Sequence, residues 1–384
     1  MVLIAATGAA FITTMPAFAA PTAYFAGFAL RGAAVSTSAR FPYTLALLKK
    51  LNANGMDTID AAIRSRLNHF HSSKLNLNLD GLGNIKMGQS IAVAFTLNRE
   101  TTGRGKIGDV YKLYIQLSGA VLFFDFREMS VIATYPVSVE YVDAFDKPPS
   151  PAEVQRDIRD MYFGDIKVNL LDDYIKTLAS ATLRRRYGNR LRVTSVNIAP
   201  SALAKMDPSL RRTPSDAREF VAEAFGQALS SNQHVALLPY KKDQAIGNKM
   251  ALRFANGNVY TLSIPQTDYA LIVNVKNFRR IQYEKKSFAT GWVYATYATV
   301  KLYEPLSGHV YLDSKFRDGV AKIIPENETN VINWPVYQEA LLRLFNDVTT
   351  AFSDPDSPWA TQASNDHDIK EQLTQTQKVM QSCQ

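Results

Sequence analysis

One succession of secondary-structure patterns occurs twice along this chain of 384 residues. In each half a strand and an amphipathic helix precede long alternating strands and a further helix, with a period of about 160 residues. The tripeptide Ala-Thr-Tyr echoes the repeat at 133–135 and at 295–297. The pattern predicts an α+β fold of two related domains, each an antiparallel or mixed β-sheet with helices packed on one face.

Composition and turn residues indicate the limits of these domains. The first domain is predicted to span 20–187 and the second 188–352, with the boundary at the Tyr-Gly-Asn sequence 187–189. Asp, Ser, Gln and Thr dominate the rest of the chain, so we predict a disordered polar tail over 353–384. Within the domains, the sequence predicts a long helix from Glu153 to Arg185 that is broken near Gly164, and a hairpin around 255–258.

The first thirty residues contain no Asp, Glu, Lys or Arg. A soft apolar run over 2–15 is followed by Pro16 and by Ala-Phe-Ala at 17–19, the small-x-small pattern that a signal peptidase cleaves. We therefore predict a signal peptide over 1–19, cleaved near Ala19, and a periplasmic mature protein. A buried segment of the mature fold and a retained membrane anchor are the alternatives. No basic residue precedes the run, and Ala20 stands where a lipoprotein would have Cys.

The net charge of +8 and the hydrophobic content of 46% are those of a basic protein with a substantial core. The basic residues are dispersed and export separates the protein from DNA, so we expect no nucleic acid as partner. Other envelope proteins and an anionic envelope surface are the expected partners. No later apolar run reaches the about 18 residues of a membrane-spanning helix. The single cysteine, Cys383, excludes an internal disulfide, and we expect it to be an incidental thiol in the tail.

The sequence contains no catalytic or ligand-binding signature that its context supports. Glycines at 103, 105 and 108 have dinucleotide-binding spacing, but a strand rather than a helix follows them, which favours a hairpin loop. The five histidines have no partners at zinc-site spacing, and no Gly-x-Ser-x-Gly sequence marks a nucleophile. We therefore predict no catalytic residue, no cofactor and no metal, while a triad of distant residues stays open.

Two groups of side chains are candidates for contact with a partner. The densest basic cluster, which is either a solvated helix end or a binding patch, consists of Arg184, Arg185 and Arg186. The second β region is rich in aromatic residues, which suit a half-buried sheet as well as a docking face. Its candidate contact residues are Tyr269, Trp292, Tyr294 and Tyr297.

The second half follows a recognisable succession of strands and one helix. The predicted elements are the strand Leu191–Ile198, the helix Arg218–Ser230, and the strands His234–Pro239, 267–273 (TDYALIV), Val293–Tyr303 and 308–314 (GHVYLDS). This succession resembles bacterial envelope assembly proteins of the CsgG, LpoB and TolB N-terminal type. Asp268-Tyr269 and the Ser-Gly-His-Val turn at 307–310 fit the pattern of that group.

The resemblance implies a non-enzymatic protein that scaffolds, assembles or activates periplasmic or outer-membrane machinery through protein–protein contacts. The alternative is a periplasmic enzyme or small-ligand carrier with an unrecognised site. A deep pocket lined by convergent polar groups would favour the alternative. An exposed β edge beside solid sheet and helix layers would favour the assembly role.

Overall fold

A computed structural model describes residues 20–32, 37–38, 40–50, 56–84, 90–107, 110–164, 166–183, 188–211, 214–240, 249–326, 328 and 331–384. The predicted signal peptide at 1–19 and the cluster of Arg184, Arg185 and Arg186 lie outside these residues. Within the described ranges, no helix is both long enough and apolar enough to cross a membrane.

Strands and helices follow one another in separate runs along the described chain, which confirms the predicted α+β class. The strands are β1 (Thr22–Arg31), β2 (Asn76–Asn78), β3 (Ile91–Ile107), β4 (Val110–Asp125), β5 (Ser130–Phe145), β6 (Leu191–Ile198), β7 (Leu237–Leu238), β8 (Lys249–Phe254), β9 (Val259–Ser263), β10 (Tyr269–Lys285), β11 (Ala289–Tyr303) and β12 (Val310–Pro325). The α-helices are α1 (Pro42–Leu48), α2 (Thr58–Leu67), α3 (Pro151–Phe163), α4 (Leu170–Ser180), α5 (Pro200–Leu203), α6 (Pro208–Arg211), α7 (Pro214–Gln233), α8 (Trp334–Ala351), α9 (Pro358–Ala363) and α10 (Ile369–Cys383).

All of the described strands belong to one mixed sheet, in the order β12-β11-β10-β6-β7-β5-β4-β3-β1-β8-β9, with β2 beside β1. Two blocks within it share one topology. In the first block β1 runs parallel to β3, and the long antiparallel strands β4 and β5 follow. In the second block β6 runs parallel to β10, and β11 and β12 follow in the same way. The short strand β7 joins the blocks by pairing with both β5 and β6.

The shared sheet corrects two details of the predicted repeat. The halves do not form a separate sheet each, because β7 connects the two blocks edge to edge. The Ala-Thr-Tyr sequences do not mark equivalent positions either. The first lies in β5, the last strand of its block, whereas the second lies in β11, the next-to-last strand of its block. The repeat is therefore one of topology, and the tripeptide match carries no structural information.

The predicted hairpin around 255–258 is confirmed by β8 and β9, with Gly257 at a φ of 89° in the turn. Its position corrects the predicted domain boundary, because the hairpin crosses back to the first block. There β8 pairs with β1, and Ser263 of β9 pairs with Ser130 of β5. Local pattern identifies a hairpin but not the strand beside which it lies. Residues 249–263, predicted for the second domain, complete the sheet of the first.

The helix predicted from Glu153 to Arg185 is broken at Gly164, as expected. Ser150 caps α3 through a capping box, since its hydroxyl accepts from the Glu153 N–H while the Glu153 carboxylate accepts from the Ser150 N–H. Gly164 ends α3 with a φ of 93°, in the left-handed region that glycine enters without strain. Asn169 then caps the N-terminus of α4.

Helices and sheet alternate in layers. Helices α1–α4 enclose one face of the first block, where Phe95, Tyr162 and Tyr174 are among the fully buried side chains. Helices α7–α10 cover one face of the second block. Helices α7 and α8 also face the remaining side of the first block, so the order across the molecule is helix, sheet, helix, sheet.

The prediction of a disordered tail over 353–384 is wrong, because this segment forms α9 and α10 against the second block. Although the segment is polar overall, its buried residues recur along one face of α10: Ile369, Leu373, Thr376, Val379, Met380 and Cys383. The polar composition of the segment does not reveal this buried face. Cys383 is accordingly 3% exposed in a packed helix rather than an incidental thiol in a mobile tail.

Candidate functional site

Helices α7–α10 pack on one face of the second block, and we call the opposite face the outer face. Side chains alternate along a strand. In β11, Tyr294 and Ala298 belong to the core under the helices, so Val293, Ala295 and Tyr297 lie on the outer face. The alternation divides the aromatic residues of this region between two environments.

The structure separates the four predicted aromatic contact residues. Tyr294 is fully buried, and its hydroxyl donates to Asn333 Oδ1 at 2.9 Å, so the prediction that it contacts a partner is wrong. Tyr269 and Trp292 are half-buried on the helix side, where Trp292 lies under the Arg280 guanidinium at 3.9 Å. Tyr297 alone of the four lies on the outer face.

The middle of the outer face is cationic around Tyr297. The Arg279 guanidinium lies 5.6 Å from the centre of the Tyr297 ring, within the range of a cation–π contact. Arg317 is directly opposite Tyr297 on β12, and Lys315 follows on the same face. The nearest described carboxylate along this face, that of Asp313, is paired with Lys301 at 3.0 Å. The arrangement suits an acidic partner surface.

The far end of the outer face is apolar, and we call it the distal patch. Ile281 is 44% exposed, Tyr283 52% and Ile323 70%. The Tyr283 ring lies over Gly291, where an added Cβ would come within 2.6 Å of the ring. Phe288, 70% exposed, occupies the turn between β10 and β11 at the same end. Exposed apolar side chains concentrated in one place are typical of interaction surfaces.

A cavity of about 320 Å³ lies between the first block and α7, and we call it the interlayer cavity. Polar side chains line both of its walls: Thr96, Asn98, Gln116, Ser118, Ser138 and Glu140 from the sheet, and Glu223, Gln227 and Ser231 from the helix. Several of these groups bond to one another. The Gln116 amide donates to Glu140 at 2.8 Å, and the hydroxyls of Ser118 and Ser138 are 3.2 Å apart.

Five charged side chains meet beside the cavity, and we call them the charge cluster: Arg31, Arg40, Arg99, Glu219 and Glu223. All are largely buried, with side-chain exposures between 10 and 25%. Glu219 Oε2 is 3.2 Å from Arg40 and 3.3 Å from Arg99, while Glu223 Oε1 is 3.4 Å from Arg31. The cluster therefore binds β1 and β3 of the first block to α7 of the second half.

The two carboxylates of the charge cluster differ in acidity. Burial disfavours the ionised form of Glu219, but the surrounding arginines, Arg31 foremost, outweigh burial and hold its pKa below the usual value. Burial raises the pKa of Glu223 to about 7, and the negative charge of Glu219 adds to the rise against the opposing pull of Arg99. Glu223 therefore exchanges its proton near neutral pH.

Changing Glu223 to Gln is expected to flatten the pH dependence of stability between about 4.5 and about 7. The native carboxyl keeps its proton up to a pKa of about 7, whereas the unfolded carboxyl ionises near 4.5. Because the folded pKa is the higher one, the group contributes stability at low pH that is lost as the pH rises through about 7. Urea unfolding of both proteins across this range measures the difference.

The exposed Glu371, changed to Gln, is the control for the loss of one carboxyl group. Its stability curve should keep the shape of the unmodified protein's curve. Parallel curves for Glu223→Gln and the unmodified protein would contradict the assignment of the raised pKa to Glu223.

Neither a metal cluster nor a dinucleotide site emerges from the residues that the structure describes. No group of three or more His, Cys, Asp or Glu side chains lies close enough to hold a metal ion in those residues. Gly103 and Gly105 lie within β3, and the chain returns as β4 from Val110, so the predicted hairpin is confirmed where it is described.

Comparison with known proteins gives neither a family nor a curated relative. No family model matches the chain. No curated protein matches it. Among solved structures, protein XCC0632 of Xanthomonas campestris, from family DUF330, is 12% identical and aligns over 51% of this chain and 93% of its own, with a TM-score of 0.25.

Two further solved structures align at similar levels. The hypothetical protein CT253 of Chlamydia trachomatis is 19% identical over 32% of this chain and 73% of its own, with a TM-score of 0.19. A putative neuraminyllactose-binding hemagglutinin homolog of Helicobacter pylori is 12% identical over 47% of this chain and 93% of its own, with a TM-score of 0.22. At these TM-scores the likenesses carry no argument about function.

Proposed function

We propose that this protein is an exported, non-enzymatic envelope protein that scaffolds, assembles or activates periplasmic or outer-membrane machinery through protein–protein contacts. The observation that carries the proposal is the outer face, a sheet surface with Tyr297 between Arg279 and Arg317 and with an apolar distal patch. The uncharged leader supports export, and the envelope-protein resemblance of the second half supports the assembly role.

The chemistry of the outer face suits protein recognition. Tyr and Arg are enriched in interfaces, where a rigid ring and a planar guanidinium bury large areas at small cost in conformational entropy. The long strands β10–β12 hold these groups in fixed positions, because the opposite face of the sheet is packed on α8. The cationic middle would steer an acidic partner, and the distal patch would add apolar contact.

Site-specific photocrosslinking in the native envelope tests the proposal. A photoreactive residue at position 317 is expected to give a discrete adduct with another envelope protein, and the adduct should weaken when Arg279 is changed to Glu. Position 159 is the matched control, because Arg159 is half-exposed on α3, within the helical layer of the first block. Equal adducts from both positions, or no adduct from position 317, would contradict an interface on the outer face.

A second candidate function, carriage of a small polar molecule, is favoured by the interlayer cavity. Its volume of about 320 Å³ is at the lower end of the range for small-molecule pockets. Native mass spectrometry of the full chain purified from its own host is expected to show a bound small molecule. Changing Ser138 to Phe, which fills the cavity, should remove that adduct. If the unsubstituted protein shows only the mass of the chain without a bound molecule, this candidate is excluded.

A further inference from the structure

Strand β12 forms one edge of the sheet, because it pairs with β11 alone among the described strands. Two hydrogen bonds show which residues of β12 direct their backbone N–H groups away from β11. The Asp313 N–H donates to Gln372 Oε1 at 2.8 Å, and the Lys315 N–H donates to Asp366 Oδ2 at 3.3 Å. The segment around α10 thus covers the first part of the edge.

The second part of the edge is open. The β11–β12 register is continuous from Leu312 to Pro325, so the alternation of backbone groups continues as well. The odd-numbered residues from 317 to 323 therefore direct their N–H and C=O groups away from β11. The Gly319 N–H donates to Oδ1 of the neighbouring Asp318 at 2.7 Å. The outward N–H and C=O groups of residues 317, 321 and 323 have no hydrogen-bond partner in the described residues. We call Arg317–Ile323 the open edge.

We propose that the open edge pairs with the open edge of a second copy of this chain, antiparallel, about a two-fold axis at Val320. In this register Gly319 lies opposite the partner's Ala321 and Arg317 lies opposite the partner's Ile323. Both pairs consist of residues whose backbone groups point outward, as antiparallel hydrogen-bonded pairs require. The two-fold axis makes every contact occur twice.

Charge selects this register over its neighbours. With the axis at Val320, Asp318 lies opposite the partner's Lys322, so opposite charges face each other on the helix side of the sheet. Moving the axis to Gly319 would place Ile323 opposite Lys315, whose N–H is already bonded to Asp366. Moving it to Ala321 would place Arg317 opposite Pro325, which has no N–H to donate. The axis at Val320 uses the whole open edge and leaves the bond from Lys315 to Asp366 intact, while the Gly319 N–H exchanges its bond to the neighbouring Asp318 for one to the partner's Ala321 carbonyl.

Existing ion pairs would be extended by the dimer rather than broken. Asp318 contacts Arg343 at 3.0 Å, and Lys322 contacts Glu339 at 2.9 Å. Bringing Asp318 beside the partner's Lys322 joins these pairs into a row of alternating sign across the two-fold axis. On the other side of the sheet, Ile323, which is 70% exposed, gains the alkyl part of the partner's Arg317 as a neighbour. The two outer faces then form one continuous surface.

The charged residues of the open edge also explain why pairing would be selective. Charged side chains on an edge strand hinder indiscriminate pairing with other strands. Lys322 would disfavour pairing with any strand whose opposing residue is apolar or basic. A second copy of the chain instead places the Asp318 carboxylate opposite Lys322.

Sedimentation velocity of the purified mature chain over a range of concentrations tests the proposal. We expect a reversible dimer. Changing Lys322 to Asp places two carboxylates opposite each other and should weaken the dimer at least about tenfold. Lys285→Asp is the matched control, because Lys285 is exposed on the same sheet outside the open edge, and its dimer constant should stay unchanged.

Hydrogen exchange provides a second measurement that does not depend on any variant. Amides at 317, 321 and 323 should become protected as the protein concentration rises, while those at 313 and 315 stay constant. A monomer at every concentration, or a dimer with unprotected 317–323 amides, would overturn the proposal. Because the measurement uses the purified chain alone, its failure leaves the photocrosslinking test of the outer face unaffected.

Discussion

Changing Glu219 to Gln is expected to lower the free energy of unfolding by about 3–5 kcal/mol, the typical cost of removing one partner from a buried ion pair. Glu219 lies within 3.8 Å of Arg31, 3.2 Å of Arg40 and 3.3 Å of Arg99. Its loss leaves three largely buried guanidinium groups with Glu223 as the remaining carboxylate of the cluster. Urea unfolding followed by circular dichroism measures the change.

The exposed pair of Lys176 and Asp173 is the control, with an N–O distance of 3.4 Å and side chains that are 78% and 44% exposed. Lys176→Ala should cost less than about 1 kcal/mol, because water screens such pairs. If Glu219→Gln cost no more than this control, the charge cluster would not be the joint between the first block and α7.

Changing Leu373 to Ala is expected to lower the free energy of unfolding by about 2–5 kcal/mol, the range for deleting a buried leucine side chain. Leu373 is fully buried between α10 and the second block. The loss combines the missing transfer of apolar surface from water with the cavity that remains. Thermal or urea unfolding of the full chain detects a change of this size.

Lys378→Ala is the matched control on the same helix, because Lys378 is exposed and alanine is a good helix former. Its effect should stay within about 0.5 kcal/mol. Equal and negligible effects of the two substitutions would mean that the segment after residue 353 is not packed in solution.

Local pattern was sufficient for most elements of the fold. Helical periodicity identified α7 and α8, the glycine and asparagine turn identified the β8–β9 hairpin, and Gly164 identified the break between α3 and α4. Each of these features depends on residues close together in sequence, where propensity and turn geometry dominate. The repeat of topology was also visible, because it follows from the order of elements.

Features that depend on distant residues could not be predicted in the same way. The charge cluster joins Arg31 to Glu223, 192 residues further along the chain, and no spacing rule marks such a pair. Composition alone predicts disorder over 353–384, because it does not show the periodic buried residues of α10. One further signal is present in the sequence, since Tyr294 and Tyr297 are three residues apart in one strand and must lie on opposite faces. Period-two alternation would have divided the aromatic group at once.

The return of the β8–β9 hairpin to the first block has a kinetic consequence. The sheet of the first block is completed only when residues 249–263 pair with β1 and β5, and Arg31 donates to the Tyr240 carbonyl across 209 residues of sequence. The chain must close this long loop before the contacts that stabilise it can form, and the entropic cost of closure slows folding. The N-terminal half therefore waits for about two thirds of the chain to be synthesised before its sheet can close. On the proposal that this protein is exported, the delay would keep the emerging chain unfolded and competent to cross a membrane.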